Sequence, residues 1–99
     1  MIKHVESVNE FRKEVMNGTV LVDFFATWCG PCQMLSPLIE ELDKKHDIKV
    51  LKINVDEASD LARQFRIASI PTLVVFKDGK MIRREMGYMP LSRLESLIS

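Results

Sequence analysis

Cysteine is scarce in this chain: there are two, Cys29 and Cys32, in 99 residues. Histidine is equally sparse, with only His4 and His46, separated by most of the chain. A structural zinc site needs about four Cys, His or carboxylate ligands in tight clusters, so these four residues argue against one. No excess of charge exists either, since 14 basic residues balance 14 acidic ones. A neutral chain without a basic stripe makes a poor ligand for nucleic acid or an anionic membrane. No apolar run approaches transmembrane length, and Met1–Glu6 lacks the apolar core of a secretory signal. Repeats, low-complexity tracts and linker-like segments are also missing.

What remains is an ordinary globular composition, 46% hydrophobic and 28% charged, and one domain spanning 1–99 is expected. The cytoplasm is the expected compartment, and there a structural disulfide is disfavoured. Two cysteines three positions apart would in any case close too small a loop to stabilise much through chain entropy. Redox chemistry is the use that remains for the pair.

The hydrophobic pattern orders the elements. Ser7-Val8-Asn9-Glu10 has the form of a helix capping box, followed by Phe11, Val15 and Met16 at helical spacing, with Gly18 as a stop. Val20–Ala26 is an apolar run with one acid, Asp23, and reads as a central strand buried on both faces. Met34, Leu35, Leu38, Ile39 and Leu42 repeat as a helix to about Lys45, in which Pro37 should introduce a kink. Ile48–Val55 reads as a strand, and Asp56 as the cap of a short helix carrying Leu61, Ala62 and Phe65. Asp78-Gly79 between Thr72–Phe76 and Met81–Glu85 is a hairpin signal. Leu91, Leu94, Leu97 and Ile98 close the chain as an amphipathic helix with Pro90 in its first turn. With Ile2–Val5 as a weak first strand, alternating strands and helices predict an α/β fold with parallel pairing and an antiparallel terminal hairpin.

Cys29 therefore falls where a buried strand meets a helix N-terminus, a favoured place for reaction sites in α/β sheets. Free N–H groups and the positive end of the helix dipole favour thiolate over thiol there. Cys29 is expected to be the exposed attacker and Cys32, one turn inside, the more covered resolver. Gly30 leaves the sulfur accessible and Pro31 holds the turn. Haem attachment is excluded by Gln33, which stands where a histidine would be required.

The segments Val22-Asp23-Phe24-Phe25-Ala26-Thr27-Trp28-Cys29-Gly30-Pro31-Cys32 and Ser69-Ile70-Pro71-Thr72-Leu73-Val74-Val75-Phe76-Lys77-Asp78-Gly79-Lys80 closely resemble the thioredoxin family, whose active-site motif is Trp-Cys-Gly-Pro-Cys. The resemblance implies a thioredoxin fold: a mixed five-stranded sheet flanked by four helices. It implies a protein-disulfide reductase with no bound cofactor and no metal, working through a redox-active Cys29–Cys32 disulfide. Electrons would come from NADPH through a thioredoxin reductase. Partners would be that reductase and disulfide-containing proteins, and a monomer is expected. Asp23 would serve Cys32 as general base and acid, with Lys52 as its ion-pair partner. Ile70–Pro71 would be a cis bond beside Cys29. Trp28, Gly30, Pro31, Ile70, Pro71, Gly87 and Tyr88 would form the surface that receives substrate.

Bland readings stand beside these. Asp23 could be a solvated strand-end acid, Lys52 a surface residue, Trp28 part of the core, and Pro71 a simple strand-start proline. The methionines read as packing, although Met86 and Met89 flank Gly87 and either could edge the site. His4 and His46 look like surface residues. Two departures from the family stand out: Phe25 where many members have a second tryptophan, and bulky Tyr88 after Gly87. A glutathione-dependent reductase fits the motif less well, and a binding module using the same surface without turnover is the remaining alternative.

Overall fold

The structure, a computed structural model, describes residues 1–99. Five strands and four helices alternate in the order β1 (Ile2–His4), α1 (Val8–Glu14), β2 (Thr19–Phe25), α2 (Gly30–Lys45), β3 (Lys49–Asn54), α3 (Ser59–Gln64), β4 (Thr72–Lys77), β5 (Lys80–Met86) and α4 (Leu91–Ile98). The sheet order is β1-β3-β2-β4-β5, so β2 is central and its apolar run is covered on both sides. β3 pairs in parallel with β1 and β2, whereas β4 runs antiparallel to β2 as well as to β5.

The β2–β4 antiparallel pairing departs from the parallel expectation because the 55–71 connection is folded into turns and one short helix that does not run the length of the sheet. A parallel return must carry the chain back along the whole sheet. A six-residue helix such as α3 spans only about 9 Å, against about 20 Å for a six-residue strand. The chain consequently re-enters at the end where β3 left, with Thr72 beside Phe24. That end also holds the cysteine turn, so the antiparallel β4 brings Pro71 to it.

Strand periodicity decides what each face carries. Val20, Val22 and Phe24 point to one side and pack with Phe11, Val15, Leu51, Ile53, Leu61, Val74 and Phe76 under α1 and α3. Phe65 closes that layer with ring centroids 5.3 Å from both Phe11 and Phe24. Leu21 points the other way, toward Leu35, Ile39 and Leu42 of α2 and Leu94 and Leu97 of α4. Period two then places Asp23 on that same face, beneath α2.

Local signals set the boundaries. Ser7 Oγ accepts from the Glu10 amide (3.1 Å) at the start of α1. Asp78 and Gly79 take φ of 49° and 87°, two left-handed residues as a two-residue hairpin turn requires. Asp78 also accepts from the Gly18 amide (2.8 Å), tying the hairpin to the turn before β2. Pro90 is the N-cap of α4 rather than a residue of its first turn. Asp56 does not cap α3, which begins after Ala58 without a side-chain cap. The Asp56 carboxylate accepts from the Trp28 indole instead (2.8 Å). α2 continues past Pro37 to Lys45 as one helix.

Candidate active site

β2 ends at Phe25, and α2 begins at Gly30. The four-residue gap set by those ends places Cys29 as the N-cap of α2, in extended conformation, with Pro31 in the first helical turn. Cys29 Sγ accepts from the Cys32 amide (3.2 Å), and Gln33 N–H donates to the Cys29 carbonyl (3.1 Å). The sulfur thus occupies the position where an N-cap oxygen usually satisfies an orphan amide. No acidic residue stands in the first turn of α2, so nothing opposes the helix-end field at the sulfur.

Cys29 and Cys32 form a disulfide, with Cα atoms 5.2 Å apart. Both cysteines are 5% exposed, which corrects the expectation of an exposed Cys29 over a covered Cys32. In the disulfide each sulfur covers the other, and Ala26, Phe25, Val55 and Ile70 pack around the pair. Any difference in access must arise after the bond opens.

The remaining rim is assembled from three loops. Ile70–Pro71 is cis, and the Ile70 carbonyl lies 3.8 Å from Cys29 Sγ. Gly87 takes φ of 92° and its amide donates to the Pro71 carbonyl (2.8 Å). A left-handed φ favours glycine at this position, and the space a side chain would enter there is open. Trp28 is 69% exposed, and Met86 and Tyr88 also stand out from the surface. Ser69 Oγ donates to Met86 Sδ (3.1 Å), so Met86 rather than the buried Met89 edges this rim. An apolar hollow of about 170 Å³ lies between Trp28, Val55, Ile67 and Ile70.

On the inner side, Asp23 is 1% exposed, and its Oδ1 has no hydrogen-bond partner. Lys52 Nζ stands 3.5 Å from Oδ2, a consequence of the Asp23–Lys52 register between β2 and β3. Burial pushes the Asp23 carboxyl up to about 6, with Lys52 pulling the other way; desolvation outweighs the single cation because only one oxygen faces it. Asp23 is therefore not a solvated strand-end acid, nor is Lys52 an open surface residue. Both lie near a cleft of about 240 Å³ whose walls include Cys32, Ser36 and Lys52. No group of three or more His, Cys, Asp or Glu is arranged to hold a metal ion.

A disulfide at a helix N-terminus with a buried acid behind it and an apolar rim in front is suited to exchange with another disulfide. Comparison with known proteins carries the same chemistry. The thioredoxin family model matches residues 2–99. The chain belongs to the thioredoxin family. It is 43% identical to thioredoxin from Bacillus subtilis over 91 residues, covering 90% of this chain and 88% of the relative. Identity with thioredoxin from Staphylococcus haemolyticus is 44% over 92 residues, at 91% and 88% coverage. A mutant thioredoxin from Halobacterium salinarum superposes with a TM-score of 0.93 at 40% identity, covering 98% of this chain and 87% of the other. Oxidised mitochondrial thioredoxin 3 from Saccharomyces cerevisiae gives a TM-score of 0.90 at 34% identity, with 97% and 92% coverage. This thioredoxin-family chain is a thiol–disulfide oxidoreductase, and Cys29–Cys32 is its redox-active disulfide.

Asp56, bonded to Trp28, and Ser36, bonded to Lys52, are neighbours of the site that sequence reasoning missed. An acid just after a strand resembles a helix cap, and no local pattern announces a bond to an indole 28 positions away.

Proposed function

We propose that the protein is a general protein-disulfide reductase, with Cys29 as nucleophile and Cys32 as resolver. The observation that carries this is the Cys29 sulfur at the N-cap of α2, accepting from the Cys32 amide. In the reduced protein the Cys29 thiolate attacks a substrate disulfide, forming a mixed disulfide and expelling one substrate thiolate. Cys32 then loses its proton, attacks Cys29 Sγ and expels the second substrate thiolate, leaving the Cys29–Cys32 disulfide. Two electrons have moved from the dithiol to the substrate.

Asp23 accepts the Cys32 proton, directly or through water in the adjoining cleft. A carboxyl pushed up to about 6 is ionised at neutral pH yet more basic than an ordinary one, as a general base there should be. Lys52 stabilises the ionised form. Trp28, Gly30, Pro31, Ile70, Pro71, Gly87 and Tyr88 receive an extended substrate segment, whose backbone pairs with Ile70 in the manner of strand addition. An NADPH-dependent thioredoxin reductase in the cytoplasm returns the pair to the dithiol.

Turnover of insulin disulfides with NADPH and a thioredoxin reductase tests the proposal. Wild type should cycle, Cys29→Ser should be inactive, and Cys32→Ser should accumulate mixed disulfides. Activity with dithiothreitol but none with any thioredoxin reductase would remove the recycling route and leave the exchange chemistry.

A further inference from the structure

We propose that Ser36 is a positioning residue for the acid–base pair, its hydroxyl holding the Lys52 ammonium inside the cleft beside Cys32. The inference rests on the reading of Asp23 as the proton acceptor for Cys32.

Ser36 lies one helical turn beyond Cys32 on α2, and residues four apart share a helix face. Both side chains line the same cleft, with Lys52 as its charged member. Lys52 Nζ donates to Ser36 Oγ (3.3 Å), stands 3.5 Å from Asp23 Oδ2, and lies 4.8 Å from the Phe25 ring centroid. Three contacts from two elements thus fix an ammonium on a flexible four-carbon stem. The aromatic face attracts the cation without directing it, and a cation 3.5 Å from one carboxylate oxygen is not held in one geometry. The hydroxyl is the contact that comes from α2, and it ties the lysine to the helix that carries the resolving thiol.

The surroundings determine what its removal does. The row across this face of the sheet is His4 on β1, Lys52 on β3, Asp23 on β2, Leu73 on β4 and Glu85 on β5. Glu85 is engaged by Arg93, and His4 meets the edge of the Phe25 ring. From α2, the cleft receives Cys32, held in the disulfide, together with Gln33 and Ser36, none of which carries a charge. Lys52 is therefore the one cation that offsets the burial of Asp23. Without the Ser36 oxygen its ammonium gains hydration by swinging outward through the open cleft, and Asp23 holds its proton more tightly.

The test is the titration of the Asp23 side-chain carboxyl by carbon NMR in the oxidised protein, where neither cysteine titrates. Wild type, Ser36→Ala, Ser36→Thr, Lys52→Met and the Ser36→Ala/Lys52→Met double variant are compared. Alanine is at home in a helix interior, so Ser36→Ala should fold. Its Asp23 midpoint should rise by about half a pH unit or more, roughly a threefold gain in proton affinity. Ser36→Thr should restore the wild-type midpoint, and the double variant should match Lys52→Met alone. A Ser36→Ala midpoint equal to wild type, or an equal shift in the Lys52→Met background, would overturn the proposal. The outcome is separable from the role of Asp23: unchanged insulin turnover in Asp23→Asn would remove the base and leave these titrations intact.

Discussion

Replacing Asp23 by asparagine should make the oxidised protein more stable, by an amount that grows with pH. In the unfolded chain this carboxyl ionises near its ordinary value of 3.8, while in the folded protein it holds its proton to about 6. Between those limits the folded state binds one proton more than the unfolded state. Stability must then fall as pH rises, at ~1.36 kcal/mol per pH unit. Below 3.8 both states are protonated and no penalty exists; above 6 both are ionised and the penalty is complete. The full interval corresponds to about 3 kcal/mol. Asparagine keeps the shape and cannot ionise, so its own effect on packing and hydrogen bonding is a constant offset. Urea denaturation of the oxidised wild type and Asp23→Asn from pH 4 to 8 isolates the changing part, because the other titrating groups cancel in the difference. With m of roughly 1–3 kcal/mol per molar urea, the gap between midpoints should widen by about 1–3 M and level off above pH 6. A difference that stays constant across this range would refute the reasoning that burial, and not Lys52, governs Asp23.

Glu14 should behave in the opposite sense. Hydrogen bonds from Lys3 and Lys49 hold its carboxyl down to about 2, so Glu14→Gln should lower stability at pH 7. That loss should shrink as pH falls from about 4.5 toward 2, read from thermal melts. Phe24→Ala should cost about 3–5 kcal/mol, because Phe24 is fully buried against Phe65; urea midpoints measure it. Trp28 is the only tryptophan and adjoins the disulfide, so its emission should rise when dithiothreitol removes that quencher, and should not change in Cys29→Ser.

Much of the architecture was legible because each element satisfies a local rule. The Val20–Ala26 run announced a strand covered on both faces, and Asp78-Gly79 a tight hairpin. The cysteine turn could be placed from the strand before it and the helix after it. Asp23 stood out as an acid in an apolar run, and strand periodicity alone puts it under α2. What could not be read depends on how a connection folds and on distant partners. The antiparallel β2–β4 pairing follows from a 55–71 connection folded into turns and one short helix, which a strand–helix alternation does not encode. The equal covering of Cys29 and Cys32 arises from the disulfide and from Ile70, some forty residues away along the chain. The Asp56–Trp28 bond and the Ser36–Lys52 contact are likewise tertiary, between residues each of which has an ordinary local use.

The division of labour between the two cysteines is the central claim, and trapping tests it most directly. Reduced Cys32→Ser and Cys29→Ser are each mixed with a disulfide-containing protein substrate, quenched with acid and separated without reductant. Cys32→Ser should accumulate a stable mixed disulfide through Cys29, while Cys29→Ser should form little and turn over none. A mixed disulfide formed equally well through Cys32 in Cys29→Ser would contradict the account.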